Sequence, residues 1–172
     1  MRRCACLGLL LILLTLSGCG YHVPAAADAW VGQQGRFVYV ELFANRTVEP
    51  YLDSIVTDEV ASQLSRSRLL AMVEERSAAD LLLTGTVTAF DSSVVAYDAE
   101  DDISEYAAHL TVIARLVRRS DGATLWQEEF RRSETYSAQS DKSLQQGEES
   151  LAARVVARRV AEDLHARLLS AF

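Results

Sequence analysis

Residues 106–136 read YAAHLTVIARLVRRSDGATLWQEEFRRSETY, and the prediction of the sheet rests mainly on them. Apolar and polar side chains alternate on both sides of Ser120-Asp121-Gly122, and this period of two predicts antiparallel strands joined by a tight turn. If these three residues form the loop, with Gly122 in the left-handed conformation, Leu116 pairs with Trp126. A two-residue loop would instead pair Leu116 with Gln127 and place a polar residue on the apolar face of the hairpin. The pattern therefore favours the three-residue loop.

The register of this hairpin separates its side chains into two faces. One face is predicted to be buried and holds Leu110, Val112, Ala114, Leu116, Trp126 and Phe130, with Val112 opposite Phe130. The other mixes apolar, polar and cationic residues: Thr111, Ile113, Arg115, Val117, Leu125, Gln127, Glu129 and Arg131. Its composition suits either a solvated sheet face or a docking surface for a protein or a phosphate-bearing amphiphile.

Two more strands are predicted before the hairpin. Residues 37–43 have apolar side chains on both faces, which is typical of a central strand. Residues 81–90 alternate, with Ala89 on the face of Leu83 and Phe90 on the opposite face. Between them, residues 68–73 are apolar enough for an edge strand or an extended link.

Two helices complete the pattern, and their order with the strands predicts the fold class. Apolar spacing of three and four residues indicates a helix of about sixteen residues after Pro50 and a long helix over residues 141–169. The order strand, helix, strand, strand, strand, helix predicts an α+β two-layer sandwich with a mixed four-stranded sheet and both helices on one face. The first crossover is expected to be parallel and right-handed.

The amino terminus has the pattern of a lipoprotein signal. Two arginines and an apolar run too short to span a bilayer precede Leu16-Ser17-Gly18-Cys19. This pattern predicts a signal peptide over residues 1–18, lipid attachment at Cys19, a lipidated tether over residues 19–35 and one domain over residues 36–172. Gly20 follows the lipidated cysteine, where Asp would favour the inner membrane, so we expect sorting to the periplasmic side of the outer membrane.

Composition narrows the classes of function. Without residues 1–18 the chain carries 15 basic and 24 acidic residues, and a net charge of −9 argues against nucleic-acid binding. The cysteines, Cys4, Cys6 and Cys19, leave no pair for a disulfide after processing.

The chain shows no pattern typical of an enzyme. It has no nucleophile elbow, zinc-protease helix, phosphate loop or dinucleotide fingerprint. The histidines are scattered, and the acidic run Asp98–Asp102 lacks the glycine and distal glutamate of an EF-hand. We therefore predict no catalytic residue, no metal and no cofactor.

Several short segments, in this order and spacing, resemble the LptE family of lipopolysaccharide-assembly lipoproteins. They are Gly20-Tyr21-His22, residues 42–50 (LFANRTVEP), residues 79–85 (ADLLLTG), Glu105-Tyr106, residues 122–126 (GATLW), and Tyr136 followed by Glu148, Glu149 and Ala152. The resemblance covers nearly the whole chain after residue 19.

This resemblance implies a non-enzymatic role. Such proteins plug the LptD β-barrel, with one copy expected per barrel, help it to assemble, and assist insertion of lipopolysaccharide into the outer leaflet. The resemblance does not map lipopolysaccharide-binding residues, so the candidates for lipopolysaccharide or partner binding come from geometry alone: Arg115, Arg118, Arg119, Arg131 and Arg132. The alternative is a periplasmic lipoprotein that activates a peptidoglycan synthase, or an assembly factor of the curli-secretion type.

Overall fold

The structure is a computed structural model and describes residues 35–170. The predicted signal peptide, Cys19, Gly20 and the tether before Gly35 lie outside these residues. The elements are β1 (Phe37–Val40), β2 (Ala44–Asn45), α1 (Leu52–Leu64), β3 (Ala71–Met72), β4 (Leu81–Tyr97), β5 (Ile103–Arg118), β6 (Thr124–Ser137) and α2 (Lys142–Ser170), with a short 3₁₀ helix (Arg76–Ala78) before β4.

One mixed sheet holds all these strands. Its order is β3-β1-β4-β5-β6, and β2 pairs with the middle of β4. The β1–β3, β1–β4 and β2–β4 pairs are parallel, whereas β4, β5 and β6 form an antiparallel meander. The predicted α+β class and the parallel first crossover are confirmed. The sheet has six strands rather than four because β2 and β3, with two residues each, are too short to show a period.

Both helices pack on the same face of the sheet, as the sequence predicts. The buried side of α1 consists of Leu52, Val56, Val60 and Leu64. The buried side of α2 consists of Ala152, Ala153, Val156, Ala157, Val160, Ala161, Leu164 and Leu168. These residues form one apolar cluster with buried side chains of the strands, so a single core joins the two layers.

The hairpin register agrees with the sequence pattern, but the loop differs. Leu116 pairs with Trp126, and Gly122 has φ +72°. The backbone N–H of Arg118 donates to the carbonyl of Ala123 (2.9 Å), so the loop has four residues rather than three. A bulge at Leu125 then restores the register. Leu125 packs against the core instead of lying on the opposite face as predicted.

A second irregularity corrects the prediction for β4. The register with β5 shifts between Val87 and Ala89, so Thr88 is an extra residue in the ladder. Because such a bulge reverses the alternation, Phe90 packs against the core and Ala89 is exposed, which is the reverse of the expected arrangement. The strand also continues to Tyr97, and residues 98–102 form the predicted loop.

Candidate docking surface

The candidate site is the sheet face that points away from the helices, which we call the open face. Cross-strand pairs across β4, β5 and β6 define its centre: Thr84 with Arg115, Thr86 with Ile113, Arg115 with Gln127, Ile113 with Glu129, and Thr111 with Arg131. Within residues 35–170, both helices pack on the other side of the sheet. The centre of the open face therefore presents three threonines, one isoleucine, two arginines, one glutamine and one glutamate.

Arg115 lies at the rim of a shallow depression in the open face. The depression has a volume of about 240 Å³ and is lined by Arg46, Thr86, Thr88, Ile113, Arg115 and Gln127. Arg46 reaches this position because its backbone N–H donates to the carbonyl of Val87 (2.9 Å), which continues the parallel pairing of β2 with β4. Two guanidinium groups thus flank a pocket with hydroxyl and amide side chains, a donor set that suits phosphate oxygens.

Arg131 extends the open face along the sheet. Its Nε donates to the Thr111 hydroxyl (3.4 Å) and its guanidinium pairs with Glu129 (3.2 Å), but its side chain stays 73% exposed. Thr111, its partner on β5, lies four residues from Arg115, which separates the two arginines by about 13 Å along the strands. The face can therefore offer cations at two separate points.

Arg118 is the last residue of β5 and Arg119 the first residue of the β5–β6 turn, at the end of the sheet. The guanidinium of Arg118 pairs with Asp121 (2.6 Å). Hydrogen bonding from the Ala123 N–H, reinforced by Arg118, lowers the pKa of the Asp121 carboxyl. Arg119 Nε donates to the carbonyl of Ala79. Both side chains therefore brace the turn as well as presenting positive charge.

Arg132 lies on the face of the sheet that carries the helices, where it forms an ion pair with Asp163 of α2 (2.5 Å). Of the five arginines proposed from the sequence, the structure places only Arg115 and Arg131 on the open face. Arg46 joins them, and sequence reasoning missed it. The signal was present, because Arg46 lies in the LFANRTVEP segment, but only the pairing of β2 with β4 shows where it points.

Several other described residues in the segments that carried the resemblance have structural roles. Asn45 closes the loop after β2: its Oδ1 accepts from the Thr47 N–H (2.9 Å) and its Nδ2 donates to the Glu49 carbonyl (2.7 Å). Tyr106 stacks on Tyr136 with ring centroids 5.6 Å apart. These segments therefore define the fold more than they define a site.

Two larger hollows lie away from the open face. One, of about 580 Å³, is lined by residues at the β4–β5 loop and the end of β6, among them Tyr97, Ile103 and Tyr106. The other, of about 410 Å³, lies between the start of α1 and α2 and includes Tyr51 and Arg154.

Among residues 35–170, no group of three or more His, Cys, Asp or Glu side chains is placed to hold a metal ion. None of the helices in this part of the chain is long and apolar enough to cross a membrane.

The fold and the open face define a class: a two-layer α+β domain whose candidate site is a docking surface of arginine and threonine side chains. Within that class, the chain belongs to the LptE lipopolysaccharide-assembly family, whose sequence model matches residues 36–168. This is a family of non-enzymatic assembly lipoproteins of the outer membrane. No curated protein sequence matches the chain.

Solved structures share the fold at low sequence identity. A DUF330 protein from Xanthomonas campestris is 16% identical with a TM-score of 0.58, and the match covers 80% of this chain and 86% of that one. A predicted lipoprotein from Caulobacter crescentus is 14% identical, with a TM-score of 0.56 and coverage of 85% and 94%. Lipoprotein B from Nitrosomonas europaea is 12% identical, with a TM-score of 0.55 and coverage of 78% and 83%. At these identities the similarity concerns the fold alone.

Proposed function

We propose that this chain is an outer-membrane lipoprotein of lipopolysaccharide assembly that is anchored through Cys19 and acts inside an LptD-type β-barrel. The family match over residues 36–168 carries the proposal, because it spans the whole packed domain. It favours this role over activation of a peptidoglycan synthase or curli-type secretion. The expected complex contains one copy of each protein and leaves the open face available to lipopolysaccharide or to the barrel wall.

The role proposed for the open face is to bind an amphiphile, and not to catalyse a reaction. Arg115 and Arg46 flank a depression, and Arg131 lies about 13 Å further along the sheet, so phosphate groups of an amphiphile can be bound at separate points. Ile113 between them offers apolar contact to acyl chains. Arg118, Arg119 and Arg132 remain candidates with less favourable geometry. Arg118 and Arg119 brace the β5–β6 turn, and Arg132 pairs with Asp163 on the face that carries the helices.

The proposal is tested by reversing both charges of the open face, with Arg115→Glu and Arg131→Glu in one variant. A hydrogen bond to a charged group contributes about 1.5–3 kcal/mol, so retention on immobilised lipopolysaccharide should fall at least about tenfold. Exposed substitutions usually change the free energy of unfolding by less than about 0.5 kcal/mol, so thermal unfolding should be nearly unchanged. Co-purification from detergent-solubilised outer membranes tests the barrel partner directly.

Lys142→Glu with Arg154→Glu is the matched control. Both side chains are exposed on α2, form no ion pair among the described residues, and give the same change in net charge. The control should retain lipopolysaccharide like the unmodified protein. If the Arg115→Glu, Arg131→Glu variant binds lipopolysaccharide and the barrel as well as the unmodified protein does, the open face is not the contact surface. If no barrel of LptD size co-purifies with the unmodified protein, the proposed complex is wrong.

A further inference from the structure

Exposed apolar side chains are concentrated at the end of the sheet that carries the β4–β5 loop, which we call the distal end. It comprises the end of β4, the start of β5, the end of β6 and the start of α2. Of the eleven large apolar side chains that are exposed within residues 35–170, six lie here: Val94, Val95, Tyr97, Ile103, Leu144 and Leu151. Apolar side chains grouped in this way indicate a contact surface, whereas single ones are ordinary on any protein.

The hollow of about 580 Å³, which we call the distal hollow, lies at this end between the β4–β5 loop and the segment that joins β6 to α2. Its lining includes two tyrosines, Tyr97 and Tyr106, and two carboxylates, Asp101 and Asp102. Ile103 adds aliphatic surface, and the remaining lining residues are Ala138, Gln139 and Ser140. Aromatic rings attract a cation placed over them, and carboxylates pair with it. This lining therefore suits a basic side chain with an aliphatic stem.

Hydrogen bonds hold the backbone on both sides of the distal hollow. In the β4–β5 loop, Asp98 Oδ1 accepts the N–H groups of Glu100 (3.1 Å) and Asp102 (2.9 Å). The Asp98 N–H also donates to the Asp102 carbonyl (2.9 Å). On the other side, the Ala138 N–H donates to the Ser104 carbonyl (2.9 Å), which ties the segment after β6 to the start of β5. A site held in this way loses little conformational entropy when a partner binds.

The distal end has a strongly negative charge that the domain itself does not neutralise. Residues 91–106 and 133–151 hold ten acidic residues and one basic residue, Lys142. Of these acids, only Glu134 forms an ion pair within residues 35–170. Glu100, Asp101 and Asp102 are exposed. Such a surface repels anionic lipid headgroups and a second distal end, and it attracts a partner that carries basic residues.

We propose that the distal hollow binds an arginine or lysine side chain of the barrel partner, and that the exposed apolar residues around it pack against apolar neighbours in the same barrel segment. This inference rests on the barrel that the proposed function places around the domain. The contact fixes the position of the domain along the barrel and leaves Arg115 and Arg131 of the open face available to lipopolysaccharide.

The chemistry of the distal hollow is tested with the full chain in detergent and a fluorescent peptide of alternating arginine and leucine, whose binding is measured by anisotropy. Asp101→Asn with Asp102→Asn should weaken binding at least about tenfold, because the charge-assisted contacts are lost. Asn tolerates the left-handed conformation of Asp101 (φ +65°), so the loop should keep its shape. Tyr97→Ala should weaken binding about twofold to thirtyfold, and Tyr97→Phe, which keeps the ring, should restore it.

Glu74→Gln with Glu75→Gln is the matched control. Both side chains are exposed beside β3, at the opposite end of the sheet, and the change in charge is the same. This control should bind the peptide like the unmodified protein. The inference is overturned if the control loses as much binding as the Asp101/Asp102 variant. It is also overturned if a peptide of alternating glutamate and leucine, or of alternating arginine and serine, binds as tightly as the arginine–leucine peptide.

The barrel as the source of the basic side chain is tested by photo-cross-linking in outer membranes, with a photoreactive phenylalanine analogue in place of Tyr97. We expect a cross-link to a barrel segment that contains arginine or lysine, with a yield that falls at least about tenfold in the Asp101/Asp102 variant. The same analogue in place of Leu42, which is 66% exposed beside β1, should cross-link independently of that variant.

The outcomes separate this inference from the proposed function. If the barrel co-purifies but Tyr97 cross-links to lipid, to a second copy of this chain or to a barrel segment without basic residues, the inference is wrong and the proposed function stands. If no barrel co-purifies with the unmodified protein, both are wrong. The Asp101/Asp102 variant should retain lipopolysaccharide like the unmodified protein, because the open face is unchanged.

Discussion

At the scale of single residues, Phe43 and Gly85 join two segments that are far apart in the sequence. Phe43 is 1% exposed, and its ring lies where a side chain at position 85 would be: a Cβ on Gly85 would come within 2.2 Å of the ring. LFANRTVEP supplies the aromatic ring and ADLLLTG supplies the glycine beneath it. The resemblance in these segments therefore reflects a packing contact between the loop after β1 and strand β4.

This contact gives the first prediction. Gly85→Ala forces the buried ring of Phe43 to shift, and overpacking of this kind costs about 1–3 kcal/mol of the free energy of unfolding. Gly147→Ala is the matched control, because Gly147 lies in α2 with no atom within 4 Å of its added Cβ. That change should stabilise the helix by up to about 1 kcal/mol. Urea unfolding of both variants measures the difference, and equal stability of the two would contradict the packing role of Gly85.

At the scale of elements, ion pairs hold α2 along the edge strand β6. The pairs are Arg132 with Asp163, Arg159 with Glu134, and Arg167 with Glu128. Arg159 also donates to the backbone carbonyl of Ser133 (3.2 Å), so it occupies a hydrogen-bonding group at the free edge of the sheet. Exposed ion pairs add little stability, but charged side chains at an edge strand oppose pairing with another chain.

The start of α2 gives a second prediction. Asp141 caps the helix: its Oδ1 accepts the N–H groups of Ser143 (2.8 Å) and Leu144 (3.1 Å), and its carbonyl accepts the Gln145 N–H. Hydrogen bonding, first from the Ser143 hydroxyl and then from the Leu144 N–H, lowers the pKa of Asp141 from its ordinary value of 3.8. The ionised Asp141 carboxylate therefore stabilises the folded state above pH 3.8, and this stabilisation is lost as the pH falls through the lowered pKa of Asp141 in the folded state.

Asp141→Ala should lower the Tm at pH 7 by about 2–4 °C, because the helix loses its cap. Asp141→Asn keeps a capping oxygen but cannot titrate, so its Tm at pH 7 should stay closer to that of the unmodified protein. The difference in Tm between the unmodified protein and the Asp141→Asn variant should become smaller as the pH is lowered below about 4. Calorimetry across this pH range measures the effect, and a constant difference at all pH values would rule out the ionised cap.

At the scale of the whole molecule, basic and acidic side chains are separated along the sheet. The described chain begins at the end of the sheet where the side chains of Arg36, Arg66 and Arg68 form no ion pair within residues 35–170, and the acidic loop at residues 98–102 lies at the opposite end. The charges of the described domain are therefore distributed unevenly along the sheet.

Anchoring itself is the third prediction. Cys19→Ala removes the thiol that would accept the diacylglyceryl group, so the precursor should remain uncleaved and should not incorporate labelled palmitate. The unmodified chain should incorporate it and fractionate with membranes, because more than one acyl chain anchors a protein stably. Cys6→Ala is the control, since Cys6 lies inside the predicted signal peptide and should not affect labelling. Normal labelling of the Cys19 variant would disprove lipid attachment at this residue.

Sorting between the two membranes is the fourth prediction. Gly20→Asp places an acidic residue directly after the lipidated cysteine and should shift the protein to the inner-membrane fraction of a density gradient. Gly20→Ser keeps a small, uncharged side chain and should leave the protein in the outer-membrane fraction. An unchanged profile for the Asp variant would show that residue 20 does not direct sorting.

Alternation and helical spacing predict the fold class and the net hairpin register, because these patterns report which side chains are buried. The family was predicted from the resemblance of several short segments. Leu116 opposite Trp126 follows from this pattern alone. The positions of the extra residues in the bulges became clear only from the pairing of the strands. A bulge at Leu125 compensates for a longer turn, and one at Thr88 reverses Phe90, while the overall apolar period scarcely changes.

The same limit applies to the candidate site. Arg131 and Arg132 are neighbours in sequence, but one lies on the open face and the other pairs with α2, because adjacent residues of a strand point to opposite sides. Arg46 joined the site only because the short strand β2 pairs with β4, a contact between residues some forty positions apart. Local patterns encode periodicity and turns, whereas the grouping of charges on a surface depends on which distant strands become neighbours.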